Sequence, residues 1–123
     1  MIITNNDWVY EKYKDCSNHN MFFIEGSYKD VLIKTRDKIH EGYELLTHPL
    51  SSSLKPNETP FKSIIISENK DKLNMDSLII IENSIISWEK FNNDKLKLNF
   101  TKQIIEDFKL IDLTVLESAL NKK

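Results

Sequence analysis

The most constraining feature of the sequence is a short apolar run that leads directly into a well-capped amphipathic helix. Residues 21–24 read Met-Phe-Phe-Ile, which is typical of a strand covered on both faces, as in a parallel sheet. Residues 28–39 then place mostly apolar side chains at helical spacing, with Ser27 as the N-cap and Gly42 as a left-handed C-cap. A strand followed by such a helix predicts an α/β fold.

The other elements are predicted from the same patterns, which are short apolar runs for strands and apolar residues at helical spacing for helices. They are predicted at residues 1–3 (strand), 7–15 (helix), 43–47 (strand), 61–67 (strand), 75–91 (helix) and 101–120 (helix). The last helix is expected to break near Asp112, which can cap its second piece. The connection before the fourth strand has no helical pattern, so that strand is expected to be antiparallel to its neighbour. We therefore expect a single α/β domain over residues 1–123, with a mainly parallel sheet of about four strands flanked by helices.

Composition excludes several classes of function. The net charge is −2 and no basic cluster stands out, which argues against sequence-independent binding of nucleic acid. Cys16 is the single cysteine, so an internal disulfide and a cysteine-based zinc site are excluded. His19, His40 and His48 lack the spacing of metal ligands, and we expect neither a metal nor a cofactor. No signal peptide and no membrane-spanning run is present, which predicts a soluble cytoplasmic protein.

The segment of residues 47–60 is the strongest candidate for a functional loop. It contains all three prolines of the chain together with His48, a run of three serines and Lys55. A connection that only joins two strands is commonly 2–5 residues long, so a longer loop between anchored ends points to function.

Several polar segments should meet this loop at one edge of the sheet. Ligands of open α/β sheets gather beyond the carboxyl ends of parallel strands. There, backbone N–H groups, hydroxyls and a lysine could hold a small anion. The alternative is that the Asn-Asn and Gly-Ser pairs only cap helices. The candidate ligand-binding residues are Asn5, Asn6, Gly26, Ser27, His48, Ser51, Ser52, Ser53 and Lys55.

A catalytic use of the same loop is the second hypothesis. His48 could activate Ser51, Ser52 or Ser53 in a small hydrolase or transferase, with Glu25 or Glu58 orienting the imidazole. No Gly-x-Ser-x-Gly elbow is present. The missing elbow and the missing metal spacing favour a non-catalytic binding protein.

The longest motif of the chain resembles the GrdX family. It reads Arg36-Asp37-x-x-His40-x-Gly42 and continues, from residue 45 to 63, as Leu-Leu-Thr-His-Pro-Leu-Ser-Ser-Ser-Leu-Lys-Pro-Asn-Glu-Thr-Pro-Phe-Lys-Ser. Residues 4–6 and 25–27 are also similar. The genes of this family accompany glycine, sarcosine and betaine reductase clusters in amino-acid-fermenting anaerobes. The resemblance therefore implies an accessory or regulatory role beside the reductase proteins, and it implies no mechanism.

The late helices suggest self-association. The stripe of residues 78–88, with Ile80 outside it, and the apolar tail to Leu120 offer more apolar surface than one small sheet face needs. We expect a homodimer through these helices. The alternative is that both helices simply cover one face of the sheet.

Overall fold

The computed structural model describes residues 1–16, 19–50, 59–92 and 101–121. Within these residues the chain forms four helices and three strands. The elements are β1 (Ile2–Thr4), α1 (Asp7–Tyr13), β2 (Met21–Phe23), α2 (Tyr28–Glu41), β3 (Ser63–Ile65), α3 (Met75–Asn92) and α4 (Lys102–Asn121). The prediction of an α/β fold is confirmed.

The sheet is mixed, with the strand order β2-β1-β3. β1 pairs with β2 in parallel, so that Ile3 lies opposite Phe22. β1 pairs with β3 in antiparallel orientation, with Ile3 opposite Ile64. The predicted sheet of four mainly parallel strands is therefore wrong. The parallel pairing of the first two strands is confirmed.

The predicted third strand is reduced to a short pairing at the outer side of β3. Leu45 forms a single antiparallel bridge to Ile66, and the Leu46 N–H donates to the Ile65 carbonyl over 2.9 Å. The segment around Leu45 and the following strand β3 are therefore antiparallel, as the sequence predicts for this pair. β3 lies between β1 and residues 45–47, and the apolar side chains on both faces of β3 are covered.

Helices cover both faces of the sheet. Ile3 and Ile64 point toward α2 and α3, where they pack with Val31, Leu32 and Ile81. Ile2 and Ile65 point the other way and pack with Val9 of α1 and Leu116 of α4. The alternation of side chains along β1 and β3 thus builds two apolar layers, one on each side.

The ends of α2 agree with the prediction, whereas the predicted break in the last helix is wrong. The Ser27 hydroxyl accepts from the Asp30 N–H, and the Asp30 carboxylate accepts from the Ser27 N–H. Gly42 ends the helix at φ 112°. α4 continues through Asp112 without a break. Asp112 does not cap a helix, because its carboxylate accepts hydrogen bonds from other elements.

In the described part of the chain, none of the helices combines the length and the apolar character needed to cross a membrane.

Candidate functional site

The carboxyl end of β1 places three buried polar residues in succession: Thr4, Asn5 and Asn6. The Thr4 hydroxyl accepts from the Asn6 N–H over 3.0 Å. The Asn6 side-chain oxygen accepts from the Trp8 N–H over 3.0 Å and thereby caps α1. The strand-to-helix turn is therefore held by its own side chains, and the Asn6 amide nitrogen is left to contact α4.

Asn5 ties together the segments that were predicted to converge. Its amide nitrogen donates to the Gly26 carbonyl over 3.0 Å and to the Pro60 carbonyl over 2.8 Å. Its side-chain oxygen accepts from the Lys62 N–H over 2.9 Å. These contacts bring Gly26 and the end of the 47–60 loop to the carboxyl end of β1. Both N–H groups of the amide are used, so Asn5 acts as a brace for this edge.

Asp112 of α4 joins the same edge from the other side. Its Oδ1 accepts from the Ser63 N–H over 3.0 Å. Its Oδ2 accepts from the Ser63 hydroxyl over 2.7 Å and from the Asn6 amide nitrogen over 3.1 Å. The Thr4 and Ser63 hydroxyls are 2.7 Å apart. With Asp112 ionised, Ser63 donates to it, Thr4 donates to Ser63, and the Asn6 N–H donates to Thr4, so the chain has one consistent direction.

The ionisable groups at this edge have shifted pKa values. Burial lowers the pKa of Lys62 to about 8, and the charge of Asp112 partly opposes that shift. Burial raises the pKa of Asp112, while the hydrogen bonds from Ser63 and Asn6 and the charge of Lys62 lower it. Burial raises the pKa of Tyr28, and Asp112 adds to that shift. We call Thr4, Asn5, Asn6, Tyr28, Lys62, Ser63 and Asp112 the edge cluster.

The first turn of the 47–60 loop lies against the edge cluster. The Tyr28 hydroxyl donates to the Pro49 carbonyl over 3.1 Å. His48 is exposed, and its Nδ1 accepts from the Leu50 N–H over 3.1 Å. His48 also lines an open groove of about 550 Å³ together with residues of α4 that include Thr114 and Ser118. The loop start is thus held by α2 on one side and faces α4 on the other.

Gly26 and Ser27 are used by the start of α2. A Cβ at position 26 would collide with the Asp30 carboxylate. Ser27 and Asp30 satisfy each other's backbone N–H groups over 3.2 and 2.8 Å. The capping alternative therefore describes the contacts of Ser27 in this structure. Ser51, Ser52, Ser53, Lys55 and Glu58 lie outside the described residues.

Sequence reasoning missed Lys62, Ser63 and Asp112. Asp112 lies next to Ile111, on the apolar side of the helical pattern. That position indicates a carboxylate held near the core, whereas the sequence analysis predicts a helix cap there. Lys62 and Ser63 directly precede a run of three isoleucines, so they enter a buried strand. Among the described residues, no group of three His, Cys, Asp or Glu side chains could hold a metal ion.

A family model described as GrdX-like protein matches residues 1–121 of the chain. No curated protein and no solved structure matches significantly.

Proposed function

Because the chain belongs to the GrdX-like family, we propose that it is a non-catalytic accessory or regulatory protein of the glycine/betaine reductase system. It binds a small anionic ligand, or a partner protein of that system, through the 47–60 loop and the edge cluster beneath it. It works in the cytoplasm as a single domain. The resemblance supplies the setting, and the geometry of the edge cluster supports the binding role.

The observation that carries the anion hypothesis is a lysine enclosed at a braced edge. Lys62 is 3% exposed and stands between Asn5, which fixes its backbone N–H, and Ser63, which is bound to Asp112. Water is largely excluded around Lys62, and a charge attracts a counter-ion more strongly in such a site than in water. The ammonium would therefore attract a carboxylate or phosphate that reaches this edge.

The missing Gly-x-Ser-x-Gly elbow favours binding over nucleophilic catalysis. The hydroxyl that contacts a carboxylate in the described residues is that of Ser63, and its partners are Thr4 and Asp112. The Nδ1 atom of His48 accepts from a backbone N–H within its own turn. A hydrolase or transferase would need His48 beside a serine and an orienting carboxylate. Ser51, Ser52 and Ser53 lie outside the described residues, so the His48–Ser51 mechanism stays the second hypothesis.

Titration of the protein with small compounds that carry a carboxylate or a phosphate tests the proposal. We would measure binding of glycine, betaine, acetyl phosphate and phosphate by calorimetry and by the shift of the melting temperature. A ligand at 100 times its Kd raises the free energy of unfolding by about 2.7 kcal/mol. Lys62→Met and His48→Ala should each weaken binding, and His48→Ala should leave the stability within about 0.5 kcal/mol because the side chain is exposed.

The matched control is Lys102→Met, since Lys102 is an exposed lysine at the start of α4. It should bind the ligand as the unaltered protein does. If none of the four compounds binds and no reductase protein associates, the proposal is wrong. If His48→Ala unfolds readily while binding is retained, the loop start is a structural brace and the site lies elsewhere.

We also propose a homodimer formed through the late helices. Support comes from large apolar side chains that remain exposed on the late helices, among them Ile79 and Ile86 of α3. The molar mass in solution at tens of micromolar protein decides this point.

A further inference from the structure

The outer face of α3 carries three large apolar side chains that are exposed to solvent. Met75 is 57% exposed, Ile79 53% and Ile86 62%. The steps of four and seven residues place them on one stripe, with the spacing that helices use when they pack against each other. Ile80, expected outside the apolar stripe, is half-buried, and Ile79 takes the exposed place.

The charges beside this stripe fall into two groups. Glu82 and Glu89 lie on one side, and each forms an ion pair with α2. Arg36 Nε is 3.7 Å from Glu82, and Lys29 Nζ is 3.0 Å from Glu89. Asp76 and Lys90 are exposed on the other side of the stripe, and neither forms an ion pair with a described residue.

Asp76 and Lys90 cannot neutralise each other within one chain. They lie near opposite ends of α3, which spans Met75–Asn92. At 1.5 Å per residue their Cα atoms are about 21 Å apart along the helix axis. An antiparallel neighbour of the same sequence would bring the Lys90 end of one helix beside the Asp76 end of the other.

We propose that a second copy of the chain covers this face, as an antiparallel pair of α3 helices about a twofold axis near Asn83. The proposal specifies the surface of the homodimer proposed above and rests on it. Ile79 packs against the partner's Ile86, and Asp76 pairs with the partner's Lys90. Both contacts occur twice because the interface is isologous.

The Asp76–Lys90 contact requires the antiparallel orientation. In a parallel pair, the flank of α3 that carries Asp76 and Lys90 would face the opposite flank of the partner helix, and Asp76 would not reach the partner's Lys90. Opposite charges beside a helix contact help to set the partner and the orientation. Glu82 lies near the twofold axis, and its charge is offset by Arg36 of the same chain.

Charge reversal tests the pairing. Light scattering over a range of protein concentrations should give twice the chain mass of 14.5 kDa for the unaltered protein. Ile79→Glu, Asp76→Lys and Lys90→Asp should each raise the dimer Kd at least tenfold. The double variant Asp76→Lys with Lys90→Asp should restore dimerisation, because each reversed charge again meets its opposite on the partner.

Leu110→Glu is the matched control, since Leu110 is 53% exposed, as Ile79 is, but lies on α4. It should dimerise normally. A monomer at every concentration overturns both the homodimer and the α3 pair. A dimer that withstands Ile79→Glu, or a double variant that stays monomeric, overturns the α3 geometry and leaves the homodimer through another surface. Anion binding by monomeric Ile79→Glu reports separately on the ligand proposal.

Discussion

At the scale of single residues, Lys62 and Asp112 control the electrostatics of the edge cluster. Each lies where water is largely excluded, and each has a pKa shifted toward its neutral form. The charge of each partly stabilises the charge of the other. Their effects on stability should therefore depend on pH and on whether both partners are present.

Lys62 should make the protein more stable as the pH rises above about 8. Below pH 8 the lysine is charged in both the folded and the unfolded chain, so its burial cost is constant. Between the folded pKa of about 8 and the unfolded value of 10.5, the unfolded chain holds a proton that the folded chain has lost. Stability then rises with pH, by about 2 kcal/mol between pH 7 and pH 9.5.

Denaturant unfolding at several pH values measures this effect. The Lys62→Met variant should lack the rise, and the difference between the two proteins isolates Lys62 from other groups. The range should end at pH 9.5, since Tyr28, with its raised pKa, acts with the opposite sign above its unfolded value of 10.0. Parallel pH profiles for both proteins would show that Lys62 does not titrate in this way.

Asp112→Ala should lower the free energy of unfolding by about 2–3 kcal/mol, because partners of the carboxylate stay buried without an acceptor. Those groups are the N–H and hydroxyl of Ser63 and one N–H of Asn6. Asp107→Ala, an exposed change on the same helix, should cost no more than about 0.5 kcal/mol. Equal stabilities of the two variants would mean that the network adds nothing to the fold.

At the scale of elements, α2 could be predicted from the sequence and the place of β3 could not. The limits of α2 depend on Ser27, Asp30 and Gly42, which act within a few residues of the helix ends. The position of β3 depends on the pairing of Ile3 with Ile64, which lie far apart in the chain. Local patterns indicate that a strand forms but not which neighbour it takes.

Gly42→Ala should destabilise the end of α2. The residue has φ 112°, and an added Cβ would collide with the Asp71 backbone carbonyl. The turn is also held by the Asp71 N–H, which donates to the Gly42 carbonyl over 3.0 Å. We expect a loss of about 2 kcal/mol, from the left-handed conformation and from the overlap.

Glu41→Ala, at the exposed neighbouring position, is the control and should cost far less. Thermal unfolding of both variants gives the comparison. If Gly42→Ala melts with the unaltered protein, the turn relaxes without cost and the glycine is not required there.

The difference between local patterns and contacts of distant residues also explains how much of the candidate site could be predicted. The convergence of Asn5, Gly26 and the His48 turn at one edge could be predicted, because a parallel strand–helix–strand unit places its loops together. Asp112 could not be assigned, because its contact with Asn6 joins residues 106 positions apart. That Ser51, Ser52, Ser53 and Lys55 bind a ligand stays a prediction.

At the scale of the whole molecule, the same sheet contributes side chains to both apolar layers, one on each of its faces. Both layers should therefore unfold together. Trp88 packs against the layer formed by α2 and α3, whereas Trp8 belongs to α1 on the other side. Variants that keep one tryptophan, Trp8→Phe and Trp88→Phe, report on the two sides by fluorescence. We expect equal midpoints in denaturant, as for a single cooperative domain. Two separate midpoints would contradict the single-domain prediction.

The bond between Asn6 and Asp112 has a consequence for synthesis of the protein in the cell. Asn6 is synthesised 106 residues before Asp112, the residue of α4 whose carboxylate completes the hydrogen bonds at this edge. Until α4 has emerged, Ser63 lacks its acceptor, and the side of the sheet formed by Ile2 and Ile65 lacks Leu116. The edge cluster can therefore be completed only after α4 has emerged, so a chain released before that point would lack the surface that we propose for binding.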